Sequence, residues 1–154
     1  MKYKFYLLLF VVIGGVAMLS NSCKKDNNDQ LSYFLTNGTW NLASQQVFHF
    51  VGDTLKKTDT ITLACTQKLT FKPDNSALYQ NYKCNSGTAT GQWNITQDNI
   101  TLQSPIIIGT DTLFKNSQII NLGQYSLVLQ TGSISPVYTS KTVRTITRYG
   151  FIHQ

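Results

Sequence analysis

Gly38-Thr39-Trp40-Asn41-Leu42-Ala43-Ser44-Gln45-Gln46-Val47-Phe48-His49-Phe50-Val51 is the stretch whose reading decides the fold. Trp40, Leu42, Ser44, Gln46, Phe48 and Phe50 fall on one face; Asn41, Ala43, Gln45, Val47, His49 and Val51 fall on the other. A repeat of two is the side-chain repeat of a strand. Residues 39–51 therefore read as the first strand of a small antiparallel barrel, with Trp40 plugging one end. Ser44 and Gln46 interrupt the apolar face in mid-strand. A dry core penalises unpaired polar groups. Either this face lines a ligand cup, or the strand bulges and turns both side chains to water.

Turn signals follow at short intervals. Gly52-Asp53 ends the first strand, and residues 55–64 return beside it. Lys72-Pro73-Asp74-Asn75 joins strands at 67–72 and 77–83, because Pro presets one turn dihedral and Asp or Asn supplies the next. Asn85-Ser86-Gly87 leads into 88–96, and Gln97-Asp98-Asn99 into 100–103. Ser104-Pro105 breaks that strand. Residues 106–108, 112–122 and 125–130 follow, and 137–151 forms a long last strand. Short links between short strands predict an up-and-down antiparallel barrel of about eight strands. Composition agrees. All seven acids are Asp, Glu is absent, and Thr, Val, Ile, Tyr, Phe and Trp are plentiful. Residues 31–35 read as a helical turn that closes the barrel bottom.

The N-terminus carries a different message. Lys2 and Lys4 precede an apolar run over 5–19. That run is shorter than the roughly 20 residues of a spanning helix, so residues 1–22 read as a secretory signal peptide. Ser20-Asn21-Ser22-Cys23 resembles a bacterial lipobox, although Leu19 lies one step further back than usual. The resemblance implies acylation of Cys23, anchorage to the lipid bilayer, and a place on the outer membrane of the cell envelope, with either face open. Residues 23–32 begin Cys-Lys-Lys-Asp and read as a lipidated, solvated tether. The barrel domain is then 33–154. The formal charge of +6 is spread along the chain with no basic patch, which argues against nucleic acid as a partner.

Four motifs recur in order over roughly residues 33–151: Gly38-x-Trp40, Leu69-Thr-Phe71-x-x-Asp74-Asn75, Thr90-Gly91-Gln92-Trp93 and Arg148-Tyr149. In these the chain resembles the lipocalin-like domains of Bacteroidetes-type lipoproteins. The resemblance implies that an Arg of the last strand packs over the first-strand Trp. Arg148 is the expected partner of Trp40, with Arg144 as runner-up. It also implies a non-enzymatic cup for a small hydrophobic or amphipathic ligand. Trp40, Phe48, Phe50, Phe71, Tyr79, Tyr82 and Trp93 would form the walls, and Ser44 and Gln46 the polar contacts. A filled barrel acting as a protein-interaction, structural or inhibitor module is the alternative.

Cys65 and Cys84 remain once Cys23 is acylated. They stand at the open ends of the 67–83 hairpin, where antiparallel pairing brings them together, so a disulfide is expected over two buried thiols. Two isolated histidines, His49 and His153, make no metal site with that pair. No nucleophile elbow, paired carboxylates or phosphate-cradling loop is present, so neither an enzyme nor a cofactor is expected. Asp53-Thr54-Leu55, Asp59-Thr60-Ile61 and Asp111-Thr112-Leu113 share the form Asp-Thr-aliphatic. This resembles an O-glycosylation acceptor of the same bacterial group, on Thr54, Thr60 and Thr112. Repeated turn-to-strand boundaries would give the same pattern.

Overall fold

The computed structural model describes residues 27–98 and 100–153. The expected leader 1–22 and Cys23 lie outside the described residues. Residues expected as a tether are helical from Asn27: among the described residues, the helix α1 (Asn27–Thr36) precedes the sheet. Twelve strands follow: β1 (Thr39–Val51), β2 (Thr54–Ile61), β3 (Lys68–Phe71), β4 (Ser76–Gln80), β5 (Thr88–Gln92), β6 (Asn94–Ile95), β7 (Thr101–Gln103), β8 (Ile106–Ile108), β9 (Asp111–Leu113), β10 (Ser117–Leu122), β11 (Ser126–Gly132) and β12 (Val143–His153).

Ten of them form one antiparallel sheet, in the order β5-β4-β3-β1-β12-β11-β10-β7-β6, with β2 also on β1. β2 and β3 share one side of β1: β2 pairs with 45–51, and β3 with 39–41. The two ends of the order, β5 and β6, are separated by Trp93 alone. Counting β2/β3 and β5/β6 as one staggered strand each leaves eight positions around a nearly closed, up-and-down barrel. β8 and β9 pair only with each other, as a hairpin inserted between β7 and β10.

Antiparallel pairing fixes the two ends. The floor is made by α1 and by the β3–β4 and β10–β11 turns. Trp40 is fully buried there, and its indole N–H donates to Leu35 O at 3.0 Å. The mouth is made by the β4–β5 loop, the β8–β9 hairpin and the β11–β12 loop. The core fills the floor and middle with Leu35, Leu69, Phe71, Leu102, Leu127 and Phe151.

A bulge in β1 decides which face is inside. Leu42 pairs with Phe151, but Ser44 already pairs with Gly150, so Ala43 is the extra residue. Two residues opposing one shift every later side chain to the other face. Beyond the bulge, Gln45, Val47 and His49 share the interior side with Tyr149, Thr147 and Thr145. Ser44, Gln46, Phe48 and Phe50 share the outside with Gly150, Arg148, Ile146 and Arg144. A Cβ on Gly150 would lie 2.5 Å from Ser44 Oγ, so Gly150 makes room for the displaced serine.

Gly38 holds the floor turn at φ +111°, a conformation that favours glycine, and a Cβ there would lie 2.5 Å from His153 Nε2. Gly38→Ala is expected to cost about 1–3 kcal/mol, read as a lower urea midpoint at unchanged m-value. Gly87→Ala, with nothing within 4 Å, is the near-neutral control.

Candidate functional site

Trp40 is fully buried in the floor, and the candidate site lies at the mouth. Its base is an aromatic well. Phe114 lies 5.8 Å from Tyr79, 5.1 Å from Tyr149 and 6.2 Å from Phe151 between ring centroids. β4, β12 and the end of the β8–β9 hairpin supply these rings from three directions. Tyr79 also meets Tyr82 at 6.0 Å, nearly edge to face, the arrangement aromatic quadrupoles prefer. The Tyr79 hydroxyl donates to Gln67 Oε1 at 3.0 Å, so its one polar atom is satisfied in the core. Burial pushes the phenols of Tyr79 and Tyr149 up from their ordinary value.

A clasp crosses this well. The Tyr82 hydroxyl donates to Asp111 Oδ2 at 2.8 Å, and Lys83 Nζ donates to the same oxygen at 3.0 Å. The bond from Lys83 holds the Asp111 carboxyl below its usual range, and the same bond raises the Lys83 ammonium. Tyr82 and Lys83 sit in a short 3₁₀ turn, Tyr82–Cys84, in which the backbone is unusual. Asn81, Lys83 and Cys84 have φ of 59°, 49° and 65°. Three left-handed non-glycine residues within four positions persist only when their surroundings hold them. Two restraints do so: the Cys65–Cys84 disulfide, and Asn81 Nδ2 donating to Thr66 O at 3.1 Å. The expected disulfide is therefore formed, and its role is to hold the clasp-bearing loop.

Grooves open on both sides of Tyr82. One, of about 360 Å³, lies between Tyr79, Ala89, Ile107 and Ile108. The other, of about 390 Å³, lies under the ribbon formed by β1 and β2, lined by Gln45, Ile61, Leu63 and Lys83. They are mixed in character, with apolar walls and a few polar groups, which is the usual make-up of a small-molecule site.

The residues named from sequence do not converge. Trp40, Phe71 and Trp93 belong to the floor: Trp93 packs on Phe71 at 5.6 Å, and its indole N–H donates to Lys72 O at 2.9 Å. Tyr79 and Tyr82 reach the mouth. Ser44, Gln46, Phe48 and Phe50 lie outside the barrel, because the bulge at Ala43 reverses the alternation. The pairing of Trp40 with Arg148 is corrected by the register of the β1–β12 ladder, in which Arg148 lies five residues before the position opposite Trp40 and on the other face of β12. Trp40 stands opposite His153, with ring centroids 5.2 Å apart, and His153 also bonds Asn37 O. Arg148 stands opposite Gln46, lies over Phe48 at 5.0 Å, and donates to Gln130 Oε1 at 3.0 Å. Arg144, the runner-up, is also outside. It stacks on Tyr138 at 3.6 Å and gives two hydrogen bonds to Gly52 O. Thr54, Thr60 and Thr112 are all exposed.

Phe114, Tyr149, Lys83, Asp111 and Gln67 escaped sequence reasoning. Asp111 read as the start of a turn-to-strand boundary, and Phe114 as one more residue in a long strand over 112–122. The signal that was there is the pair of short apolar pieces, Ile106-Ile107-Ile108 and Thr112-Leu113-Phe114, around Gly109 at φ +61°. No protein-family model matches the chain, and none of the curated proteins matches it.

Reducing the disulfide should speed amide exchange at 81–87 and lower the urea midpoint by the equivalent of about 3 kcal/mol. The clasp has its own pH window. Asp111 is depressed, so its contribution is complete above the ordinary carboxylate value of 3.8 and lost as pH falls further. Tyr82 and Lys83 are both raised, so their contributions are complete together below 10.0, the lower of their ordinary values, and are lost as pH rises beyond. Exchange of the 81–87 amides, corrected for intrinsic rate, is expected to be flat between those limits and to rise outside them.

Proposed function

We propose that this barrel is a membrane-tethered, non-enzymatic binding module that takes a small apolar or amphipathic molecule at its mouth. One observation carries the reading: the aromatic well of Tyr79, Phe114 and Tyr149 stands at one end of a barrel whose other end buries Trp40. Barrel mouths are a preferred place for such sites, because strand ends supply rigid walls and loops supply variable contacts. The tether rests on the sequence alone, on the lipobox-like approach to Cys23. The likeness to lipocalin-like lipoproteins supports the same reading through its motif order. O-glycosylation of Thr54, Thr60 and Thr112 is part of the proposal, and their exposure leaves them accessible to a transferase.

A second reading has its own observation. Below the mouth the barrel is filled, while Phe48 and Phe50 stand half-buried on the outside beside Arg148 and Arg144. That outer strip favours a protein-interaction module of the envelope.

Native mass spectrometry of protein extracted from its own membranes is expected to show a co-purified species of small-molecule mass. A clean apo mass, with a protein partner retained instead, would transfer the conclusion to the second reading. The same spectra report sugar on the three threonines. Cys23→Ser is expected to move the protein from the membrane fraction to the soluble fraction; retention in the membrane would remove the lipid anchor from the proposal.

A further inference from the structure

Among the described residues, the β8–β9 hairpin stands apart from the barrel as a sheet of two strands. Its strands bond only to each other. Its base is tied by Ser104 N–H donating to Phe114 O at 2.8 Å, and its outer side by the clasp on Asp111. Space lies on both flanks: the groove beside Ile107 and Ile108, and another of about 300 Å³ beside Leu113 and Phe114. The hairpin is thus held to the barrel by the packing of Ile106, Leu113 and Phe114 rather than by a strand ladder, with room on either side.

Phe114 is the conspicuous residue of this hairpin. Its φ is +52°, an outlier for a bulky side chain, yet its ring is 2 % exposed at the centre of the aromatic well. A second observation lies beside it. Ser104 and Ser117 are fully buried, and among the described residues neither hydroxyl has a hydrogen-bond partner. Both sit where the hairpin joins the barrel. Ser117 pairs with the inward Leu102, and Ser104 lies two residues beyond Leu102. Period two puts all three on the inner side. Two unsatisfied hydroxyls at the hairpin's base, one of them on the residue whose N–H bonds the carbonyl of the off-pattern Phe114, describe a place that something polar at one end and apolar along its length would fill.

We propose that the β8–β9 hairpin is a stopper, that Phe114 occupies the seat of a ligand's apolar body, and that Ser104 and Ser117 receive the ligand's uncharged hydroxyl or carbonyl head. The head is uncharged because a serine pair both donates and accepts but neutralises nothing, and an ionised group taken into this well would stay unpaired. At the rim, Lys83 and Asp111 already satisfy each other. Entry requires the clasp to release and the hairpin to swing out on its base, so the closed state lowers apparent affinity in proportion to its population. The inference rests on the mouth being a ligand site and adds the ligand's chemistry and the route in.

The test uses the full chain and N-phenyl-1-naphthylamine, an uncharged probe that brightens in apolar surroundings, with decan-1-ol and decanoate as competitors. Phe114→Gly suits the left-handed backbone while emptying the seat, and is expected to bind the probe about tenfold more tightly than the parent. Asp111→Asn should speed probe association and amide exchange over 104–116, with the circular-dichroism spectrum unchanged. Decan-1-ol should displace the probe at about one-tenth the concentration of decanoate, and Ser104→Ala with Ser117→Ala should abolish that preference. Probe binding that is unchanged in Phe114→Gly, or a preference that survives loss of both serines, overturns the stopper and leaves the mouth as a site. No binding by any folded form overturns both.

Discussion

The ladder between β1 and β12 is the constraint on which the other elements depend. It runs from Trp40 opposite His153 to Val51 opposite Val143, and it joins the beginning of the barrel to its end. The floor follows from it, since His153 meets both the Trp40 ring and the Asn37 carbonyl only while the ladder is in register. The outside follows too. The bulge at Ala43 lies within this ladder, and it turns Phe48 and Phe50 out to meet Arg148 and Arg144. Cation–π contacts of this kind contribute about 0.5–2 kcal/mol each, more when water is excluded. Tyr138 closes over Arg144 and bonds Asp53, so the β11–β12 loop is drawn against the β1–β2 turn. One inserted residue thus separates the fold's floor chemistry from its surface chemistry.

Much of this architecture was legible in the sequence. The bounds 39–51 were readable because apolar residues recur there with the period of a strand and Gly52-Asp53 ends it. The Pro73-Asp74-Asn75 turn and the strands beside it were readable for the same reason, and the disulfide followed from placing Cys65 and Cys84 at the ends of one hairpin. Inside and outside were not readable beyond residue 42. Alternation gives two faces but does not mark where an extra residue exchanges them, and Ala43 looks like any other strand residue. The polar pair Ser44 and Gln46 was the visible trace of that exchange. Arg148 was misplaced through a likeness that supplies a role without a register: it is His153, five residues further on, that stands opposite Trp40.

The mouth was harder still, because its chemistry depends on backbone conformations that sequence patterns do not carry. Asn tolerates φ > 0, so Asn81 is unsurprising. Lys83, Cys84 and Phe114 are not residues that announce such a conformation. Each is held by tertiary contacts: Cys84 by its bridge, Lys83 by Asp111, and Phe114 by the rings around it. Gln67 links these parts. Its side-chain carbonyl takes the Tyr79 hydroxyl and lies 3.4 Å from the Lys83 amide, so the bottom of the well and the clasp above it share one acceptor.

The meeting of β1 with β12 also sets the order in which the chain can become itself. Trp40 is made early, yet its neighbour His153 lies more than a hundred positions later. Contacts so distant in sequence form only after a long loop has been drawn together, and chains dominated by them reach the native state in milliseconds to seconds rather than microseconds. A chain of this design has no finished hoop to close until β12 is free to pair with β1. Until then its first strand stays an open, sticky edge.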